Sequence, residues 1–339
     1  MSALDMQRFS HADHDFEARV GALAAPMDTL DPTLVDSVRD IIAEVRSGGD
    51  RALLQFTKRF DQHDAMAVSE LVVEGESLKA FESQVTDMEL AAITEAASRI
   101  RRYHEEQISS DWSICDEYGS RLGQRIGPMR RVGLYVPGGK ASYPSSVLMN
   151  AIPAKVAGVA EVVMVAPTPG GQINPLVLAA ASLAGVDQVL TVGGAQAIAA
   201  LAYGTESLPA VDKIVGPGNR YVAEAKRQVF GKVGIDMIAG PSEIFVIADG
   251  TVDPDWIALD LMSQAEHDEM AQAVCLATND DYLDAVTASL EKLLPEMPRR
   301  DVISSSLRNR GALISVPDLE AAASLSMRFV AVYLELVVA

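Results

Sequence analysis

Val132-Gly133-Leu134-Tyr135-Val136-Pro137-Gly138-Gly139 is an apolar run that ends in a proline and two glycines. Such a run predicts a buried strand followed by a tight turn. The same order of strand, loop and helix recurs over residues 161–183, 187–203 and 212–230. Because the strands are continuously apolar, helices are expected to cover both faces of the sheet. We therefore predict βαβ units and one doubly wound parallel sheet over residues 132–240.

The chain on either side of this region shows the same kinds of element. Downstream, the pattern predicts strands at 243–248, 273–277 and 311–316, and helices at 254–268, 280–294 and 318–327. Upstream, Asp31-Pro32 begins a helix, since Asp is a favoured N-cap and Pro suits the first turn. Gly48-Gly49 ends that helix, and Asp50 caps the next one. The fold class is therefore α/β, with a further helix at 90–107 and an N-terminal helical arm.

The composition limits the classes of partner. The chain of 339 residues carries 28 Lys and Arg against 47 Asp and Glu, a net charge of −19. Such an acidic surface repels phosphate backbones and anionic lipids, so we expect neither nucleic acid nor a membrane as a partner. Residues 1–15 lack an apolar signal segment, and no apolar run is long enough to span a bilayer. We expect a cytoplasmic protein in which Cys115 and Cys275 stay reduced.

Glycine-rich loops follow the predicted strands at their carboxyl ends, where open α/β sheets bind ligands. None of these loops has the spacing G-x-G-x-x-G. The nearest, Gly216-Pro217-Gly218-Asn219, lacks the third glycine. Two interpretations stay open: the glycines only make tight turns, or they make room for a dinucleotide. The helix N-termini after Gly194 and Gly218 could hold a phosphate through their free N–H groups.

A second set of polar residues is Ser263-Gln264-Ala265-Glu266-His267-Asp268, near the end of a predicted helix. Gln264 and His267 are three residues apart and so share one helical face. An amide oxygen and an imidazole nitrogen there could both bind Zn²⁺. The alternative is a helix end that carries a favourable His and solvated carboxylates. Two ligands alone do not make a zinc site.

Longer motifs occur in one order along the chain. They are Tyr-Val-Pro-Gly-Gly at 135–139, Tyr-Pro-Ser-Ser-Val-Leu-Met-Asn at 143–150, Gly-Gly-Ala-Gln-Ala-Ile at 193–198, Val-Gly-Pro-Gly-Asn at 215–219, Ala-Gly-Pro-Ser-Glu at 239–243 and Gln-Ala-Glu-His-Asp at 264–268. Several ordered motifs are far more specific than one glycine loop. Over residues 30–320 the chain resembles the histidinol dehydrogenases, which oxidise L-histidinol through histidinal to L-histidine with two NAD at one zinc site.

The resemblance implies roles for particular residues. It implies NAD contacts for Tyr135, Gln196 and Asn219, and contacts with the substrate L-histidinol for Ser242, Gln264 and His267. Gln264 and His267 would also be zinc ligands. Zinc is a Lewis acid that can hold such a substrate and polarise its oxygen.

The resemblance also implies two Rossmann-like, doubly wound domains and a homodimer. Residues 1–30 would form an N-terminal arm. Residues 31–131 and 241–339 would form a discontinuous α/β domain, into which residues 132–240 are inserted.

The chain departs from the family near its end. Where the family has a Glu-His pair that supplies acid–base groups, this sequence has Val332 and Tyr333. Valine cannot activate water, and a tyrosine hydroxyl is a poor base at neutral pH, so the catalytic pair is unassigned. The family also continues past the position of Ala339, into a part that holds two more zinc ligands and reaches the partner subunit.

Three hypotheses follow from this comparison of motifs. The first is a histidinol dehydrogenase altered at its end, with weak zinc binding, a weakened dimer and little turnover. The second is a diverged dehydrogenase that acts on another small alcohol and uses Tyr333 as its base. The third is a non-catalytic pseudoenzyme or fragment. The intact motifs up to Asp268 favour the first.

Overall fold

The computed structural model describes residues 6–25, 31–138, 143–238, 242–329 and 333–339. The helices are α1 (Phe16–Ala24), α2 (Pro32–Asp61), α3 (Gly75–Leu78), α4 (Asp87–Glu105), α5 (Pro144–Val156), α6 (Pro175–Ala184), α7 (Gly194–Tyr203), α8 (Arg220–Val229), α9 (Pro254–Ala265), α10 (Asp280–Leu293), α11 (Arg300–Arg310) and α12 (Leu319–Ser326).

The strands are β1 (Gln7–Ser10), β2 (Val72–Glu74), β3 (Trp112–Cys115), β4 (Arg121–Gln124), β5 (Arg131–Tyr135), β6 (Glu161–Val165), β7 (Gln188–Leu190), β8 (Lys213–Val215), β9 (Gly234–Ile235), β10 (Glu243–Ala248), β11 (Gln272–Ala277), β12 (Gly311–Ser315) and β13 (Tyr333–Val337). Contacts divide the chain into two compact units. Unit 1 comprises residues 1–27 and 240–339, and unit 2 comprises residues 28–239.

The sheet of unit 2 is doubly wound, as the sequence predicts. Its strand order is β2-β7-β6-β5-β8-β9. All its pairs are parallel except β2 with β7. The chain moves outward from β5 in one direction through β6 and β7, and in the other through β8 and β9. The switch point therefore lies between β5 and β8, and the crevice outside their carboxyl ends is where such sheets bind ligands.

Close packing of helix on strand explains a glycine inside β5. A Cβ atom on Gly133 would lie 2.9 Å from Cδ1 of Leu201 in α7, so a larger residue would push the helix off the sheet. On its other side α7 packs against α2, whose Leu53 and Phe56 belong to the same buried core as Leu201. Helix, sheet and second helix thus share one apolar interior in unit 2.

Helix α2 contains the break that the two adjacent glycines predict. Gly49 has φ 52° and ψ −135°, a conformation open mainly to glycine. The expected cap by Asp50 is wrong in detail, since Glu206 accepts the bond from the Asp50 N–H at 2.7 Å. The Asp50 carboxylate instead accepts from the hydroxyl and the N–H of Ser207. The break therefore joins α2 to the loop after α7.

The sheet of unit 1 is wholly parallel, with the order β1-β12-β11-β10-β13. Strands β10, β11 and β12 are almost completely buried.

Cys275 lies in β11 and is buried, whereas Cys115 is exposed, and both are free thiols. Among the described residues, no helix has the length and apolar character needed to cross a bilayer.

The structure groups two segments differently from the expected organisation. Residues 7–10 of the expected N-terminal arm form an edge strand of unit 1, with Phe9 only 3% exposed. The side-chain amide of Gln272 also donates to the backbone oxygen of Leu23 at 3.2 Å. Residues 31–131 belong to unit 2 and not with residues 241–339, because α2 and α4 bury their apolar faces there.

Candidate functional site

The carboxyl edge of the unit 2 sheet carries the three residues for which NAD contacts are expected. Tyr135 is the last residue of β5, and Asn219 follows β8 at the start of α8. Gln196 lies in the first turn of α7. Tyr135 and Asn219 therefore flank the switch point between β5 and β8, the crevice of the sheet that favours a ligand.

Tyr135 is buried and its hydroxyl contacts the glycine loop before α7. The side chain is 3% exposed, and its oxygen accepts a hydrogen bond from the Gly194 N–H at 3.1 Å. Burial raises the pKa of Tyr135 to about 12, the bond from Gly194 opposes the shift, and the charge of Asp61 adds to it. The phenol therefore stays protonated at neutral pH.

Gln196 presents an amide with an unsatisfied group. The residue is 1% exposed, and its Nε2 has no hydrogen-bond partner within the described part of the chain. Its Oε1 lies 2.6 Å from the position that a Cβ on Gly194 would take, and Gly194 has φ 68°. A buried amide without a partner costs free energy, which is a feature of ligand-binding sites.

Protein side chains occupy some of the N–H groups at the helix N-termini of this edge, where the sequence predicts groups free for a phosphate. The Asn219 side chain accepts from the N–H groups of Tyr221 at 3.0 Å and Val222 at 3.2 Å. Before α7, the Gly193 N–H donates to Asp61 and the Gly194 N–H donates to Tyr135. Side chains of the protein thus occupy donors that a pyrophosphate would otherwise use.

Asp61 and His63 also lie at this edge, although the sequence analysis singled out neither of them. Burial raises the pKa of Asp61, against the opposing effects of the Gly193 N–H and His63. Nδ1 of His63 is buried and has no hydrogen-bond partner in the segments that the structure describes, and the ring lies beside Gly171. A signal for Asp61 did exist, because a carboxylate at a helix C-terminus is unfavourable.

The residues expected to contact substrate and zinc gather at the amino edge of the unit 1 sheet. Ser242 is exposed and directly precedes β10, and its backbone oxygen accepts from the Gln272 N–H at 3.0 Å. Gln264 and His267 lie at the end of α9, just before β11. Tyr333 begins β13 opposite Ile244. This edge is opposite to the one where parallel sheets usually bind ligands.

Gln264 and His267, the two residues expected to bind zinc, lie three positions apart at the end of α9. Gln264 is 5% exposed and its Nε2 has no hydrogen-bond partner among the described residues, while His267 is exposed just beyond the last turn of α9. The His267 N–H donates to the Gln264 backbone oxygen at 3.2 Å. The described segments contain no cluster of three or more His, Cys, Asp or Glu side chains placed to hold a metal ion. A protein zinc site needs three or four ligands, so this donor set is incomplete.

Glu243 and Tyr333 also lie at this edge. Glu243, next to Ser242, is a half-buried carboxyl that the sequence did not single out. Burial raises its pKa, and the charge of Arg310 opposes the shift. Tyr333 is 55% exposed. Val332, which stands at the family's Glu position, lies outside the described residues.

Known proteins are similar to this chain in sequence. The sequence model described as histidinol dehydrogenase matches residues 27–339. The histidinol dehydrogenase of Chromobacterium violaceum is 57% identical over 334 residues, which cover 98% of this chain and 77% of that protein. The histidinol dehydrogenase of Pseudomonas putida is 56% identical over 332 residues, with 98% and 75% covered.

A solved structure agrees with these relatives. The crystal structure of histidinol dehydrogenase from Elizabethkingia anophelis superposes with a TM-score of 0.87 at 32% identity. The match covers 98% of this chain and 76% of that one. The chain is thus similar in sequence and in fold to proteins of one name, and it spans about three quarters of their length.

Proposed function

The chain belongs to the histidinol dehydrogenase family, and from that premise we propose that it binds L-histidinol and NAD and oxidises the alcohol in histidine biosynthesis. The observation that carries the proposal is the position of Tyr135, Gln196 and Asn219 along the ligand-binding edge of one doubly wound sheet. Membership of the family does not by itself say where in this chain the cofactor would bind. The edge supplies a place for the cofactor.

The residues of unit 2 fit a dinucleotide with one restriction. NAD accepts a hydride from an alcohol carbon when it is bound. In this chain Gln196 would donate its unpartnered Nε2 to the cofactor, and Tyr135 would pack and hydrogen-bond beside it. Because Asp61 and Tyr135 accept from the N–H groups of Gly193 and Gly194, those two donors would not serve the pyrophosphate.

The residues of unit 1 fit the substrate better than they fit zinc. Ser242, Gln264 and His267 would bind and orient L-histidinol at the amino edge of the β10–β11 pair. Gln264 and His267 are the ligands that this chain would contribute to zinc. Because the described residues do not complete the site, we derive no step through the metal.

The acid–base step is where we expect the chain to be slow. Val332 offers no proton-transfer group, and the Tyr333 hydroxyl is a poor base at neutral pH. General acid–base catalysis contributes about 10²–10⁴-fold to a rate, so its loss leaves binding intact while turnover falls. A dehydrogenase for another alcohol is not favoured, since Ser242, Gln264 and His267 are retained.

The proposal includes the homodimer of the family and a cytoplasmic location. Light scattering of the purified chain tests the dimer directly: a mass near twice 36.2 kDa supports it, and a mass of one chain contradicts it.

The test of the proposed function is NAD binding by titration calorimetry. The Gln196→Ala variant should raise the Kd for NAD about tenfold, because one hydrogen bond of a buried amide is worth about 1.4 kcal/mol. Gln188→Ala is the matched control, since Gln188 lies at the amino end of β7 and bonds Glu74. Absence of NAD binding by the unaltered chain, or equal affinities of all three proteins, would contradict the proposal.

A further inference from the structure

Asp61 occupies a position that is costly for a carboxylate. It is the last residue of α2, in the part that follows the break at Gly49, and a helix C-terminus carries partial negative charge. The residue is only 7% exposed, and the structure pairs it with a single long hydrogen bond. Buried charge at the wrong end of a helix does not serve folding, so a role in a functional site accounts for it better.

The partner of Asp61 is the loop that leads into α7. The Gly193 N–H donates to its Oδ2 at 3.4 Å, and the next N–H, that of Gly194, donates to the Tyr135 hydroxyl at 3.1 Å. Two side chains thus hold two consecutive peptide groups. The N-terminus of α7 carries partial positive charge, which favours the Asp61 carboxylate there.

The loop has little space to move in other directions. A Cβ on Gly193 would lie 2.4 Å from Cβ of Pro167, so the backbone already packs tightly against the loop after β6. Two positions before Gly193, the Thr191 hydroxyl donates to the Leu71 backbone oxygen at 3.0 Å and so fixes that part of the chain. These contacts do not fix the orientation of the Gly193 peptide. The Asp61 carboxylate sets that orientation.

The Gln196 amide depends on the same loop. Its amide group lies against Gly194, and its Nε2 is buried with no hydrogen-bond partner in the described part of the chain. A rotation of the Gly193 or Gly194 peptide would therefore move both Gln196 and the bond to Tyr135. These are two of the three side chains that we assign to the cofactor.

We propose that Asp61 is a positioning residue for the dinucleotide site: its carboxylate orients the Gly193-Gly194 loop so that Tyr135 and Gln196 meet the cofactor. This inference rests on the proposed function, because NAD is the ligand that the two side chains would contact. Asp61 itself acts through the loop and does not touch the ligand.

Three variants of the full chain test the proposal. Asp61→Ala removes the acceptor, and Asp61→Asn keeps an acceptor oxygen but removes the charge. Thr57→Ala is the control, because Thr57 is fully buried one turn earlier on α2 and its hydroxyl donates only to the Leu53 backbone oxygen at 2.9 Å. Two quantities are measured: the Kd for NAD, and hydrogen–deuterium exchange of residues 187–197 without ligand.

The expected result separates positioning from stability. Asp61→Ala should raise the Kd for NAD about tenfold and speed exchange in residues 187–197, since a hydrogen bond to a charged group is lost. Asp61→Asn should show a smaller increase in both. Thr57→Ala should lower the thermal midpoint yet leave the Kd and the exchange of that segment unchanged.

Two outcomes would overturn the inference. One is unchanged exchange and unchanged Kd in Asp61→Ala, and the other is an equal change in Thr57→Ala, which would reduce Asp61 to a structural residue. Failure of the proposed function looks different, since the unaltered chain would then bind no NAD. Exchange in the ligand-free variants would still decide whether Asp61 holds the loop.

Discussion

Polar side chains that are costly to bury lie at the carboxyl edge of the unit 2 sheet and at the amino edge of the unit 1 sheet. In unit 2 these are Asp61, Tyr135 and Gln196, and in unit 1 the clearest is Gln264. The Nε2 groups of Gln196 and Gln264 both lack a partner among the described residues. Each such group costs about 1–3 kcal/mol of folding free energy, so these residues are better explained by binding than by stability.

A substitution of Gly194 tests whether the glycine loop positions the Gln196 amide. The Gly194→Ala change places an alanine at φ 68° and its Cβ within 2.6 Å of Gln196 Oε1. The backbone cost alone is about 1–2 kcal/mol, and the collision also displaces the amide. We expect a lower thermal midpoint together with a Kd for NAD raised about tenfold or more.

The control for this change is Gly231→Ala. Gly231 has φ 94°, but a Cβ there would meet no atom within 4 Å. This variant should therefore lose stability without losing NAD affinity. If Gly194→Ala binds NAD as tightly as Gly231→Ala does, the contact between the glycine loop and Gln196 has no role in the site.

Sequence motifs identify some of these residues and miss others for a physical reason. Tyr135, Gln196 and Asn219 follow predicted strands, so their common edge is predictable from the rule for parallel sheets. Asp61 reaches the same loop from 132 positions earlier in the chain, and no local pattern encodes that contact. The amino-edge position of Ser242 and His267 runs against the rule, and so only the structure gives it.

Among the elements, β13 carries a carboxyl group that lies beside a carboxyl group of α9. Glu335 on β13 shares a hydrogen bond with Asp260 on α9. Burial raises the pKa of Glu335, and the charge of Asp260 and the hydrogen bond to it add to the shift. Burial raises the pKa of Asp260 as well, with the bond from Glu335 opposing. Both raised pKa values thus favour a pair that keeps a proton between Glu335 and Asp260.

The sign of the pH dependence follows from the raised pKa of Glu335. A carboxyl group whose pKa is higher in the folded state contributes stability at low pH, and loses it as pH rises through the folded value. Glu335→Gln cannot ionise, so its thermal midpoint relative to the unaltered chain should rise as pH is raised from about 4 to about 7. Scanning calorimetry at several pH values measures this difference.

The control is Glu320→Gln, which removes the same charge at an exposed position of α12 in unit 1. Its midpoint relative to the unaltered chain should not rise over this range. A difference that stays constant with pH in Glu335→Gln would show that the pair with Asp260 does not form.

Periodicity predicts the elements of the two parallel sheets but not the pieces at their margins. Strands β5 to β8 and β10 to β12 are continuously apolar and are found where expected. Strand β1 reads Gln-Arg-Phe-Ser, and it is a strand only because β12 pairs with it. The hairpin of β3 and β4 is exposed along its whole length, so it leaves no buried pattern to read.

At the scale of the whole chain, the α/β class and two parallel sheets agree with the expectation, and the grouping of segments differs from it. The sequence indicates that α2 and α4 are amphipathic, but it cannot indicate which sheet they cover. The structure places their apolar faces in unit 2. Over 98% of its length the chain still matches a histidinol dehydrogenase fold.

Two features of this chain determine its expected activity: the proposed binding residues, and Val332 and Tyr333 near its end. It has the residues proposed to hold cofactor and substrate, and we propose that Val332 and Tyr333 stand where the family has its Glu-His pair. The most direct test is the rate of NADH formation from L-histidinol with zinc present, for the unaltered chain and for the double variant Val332→Glu, Tyr333→His. We predict that the double variant is faster by about 10²-fold or more, at similar Kd for NAD. An unaltered chain that already forms NADH as fast as the double variant would contradict the account.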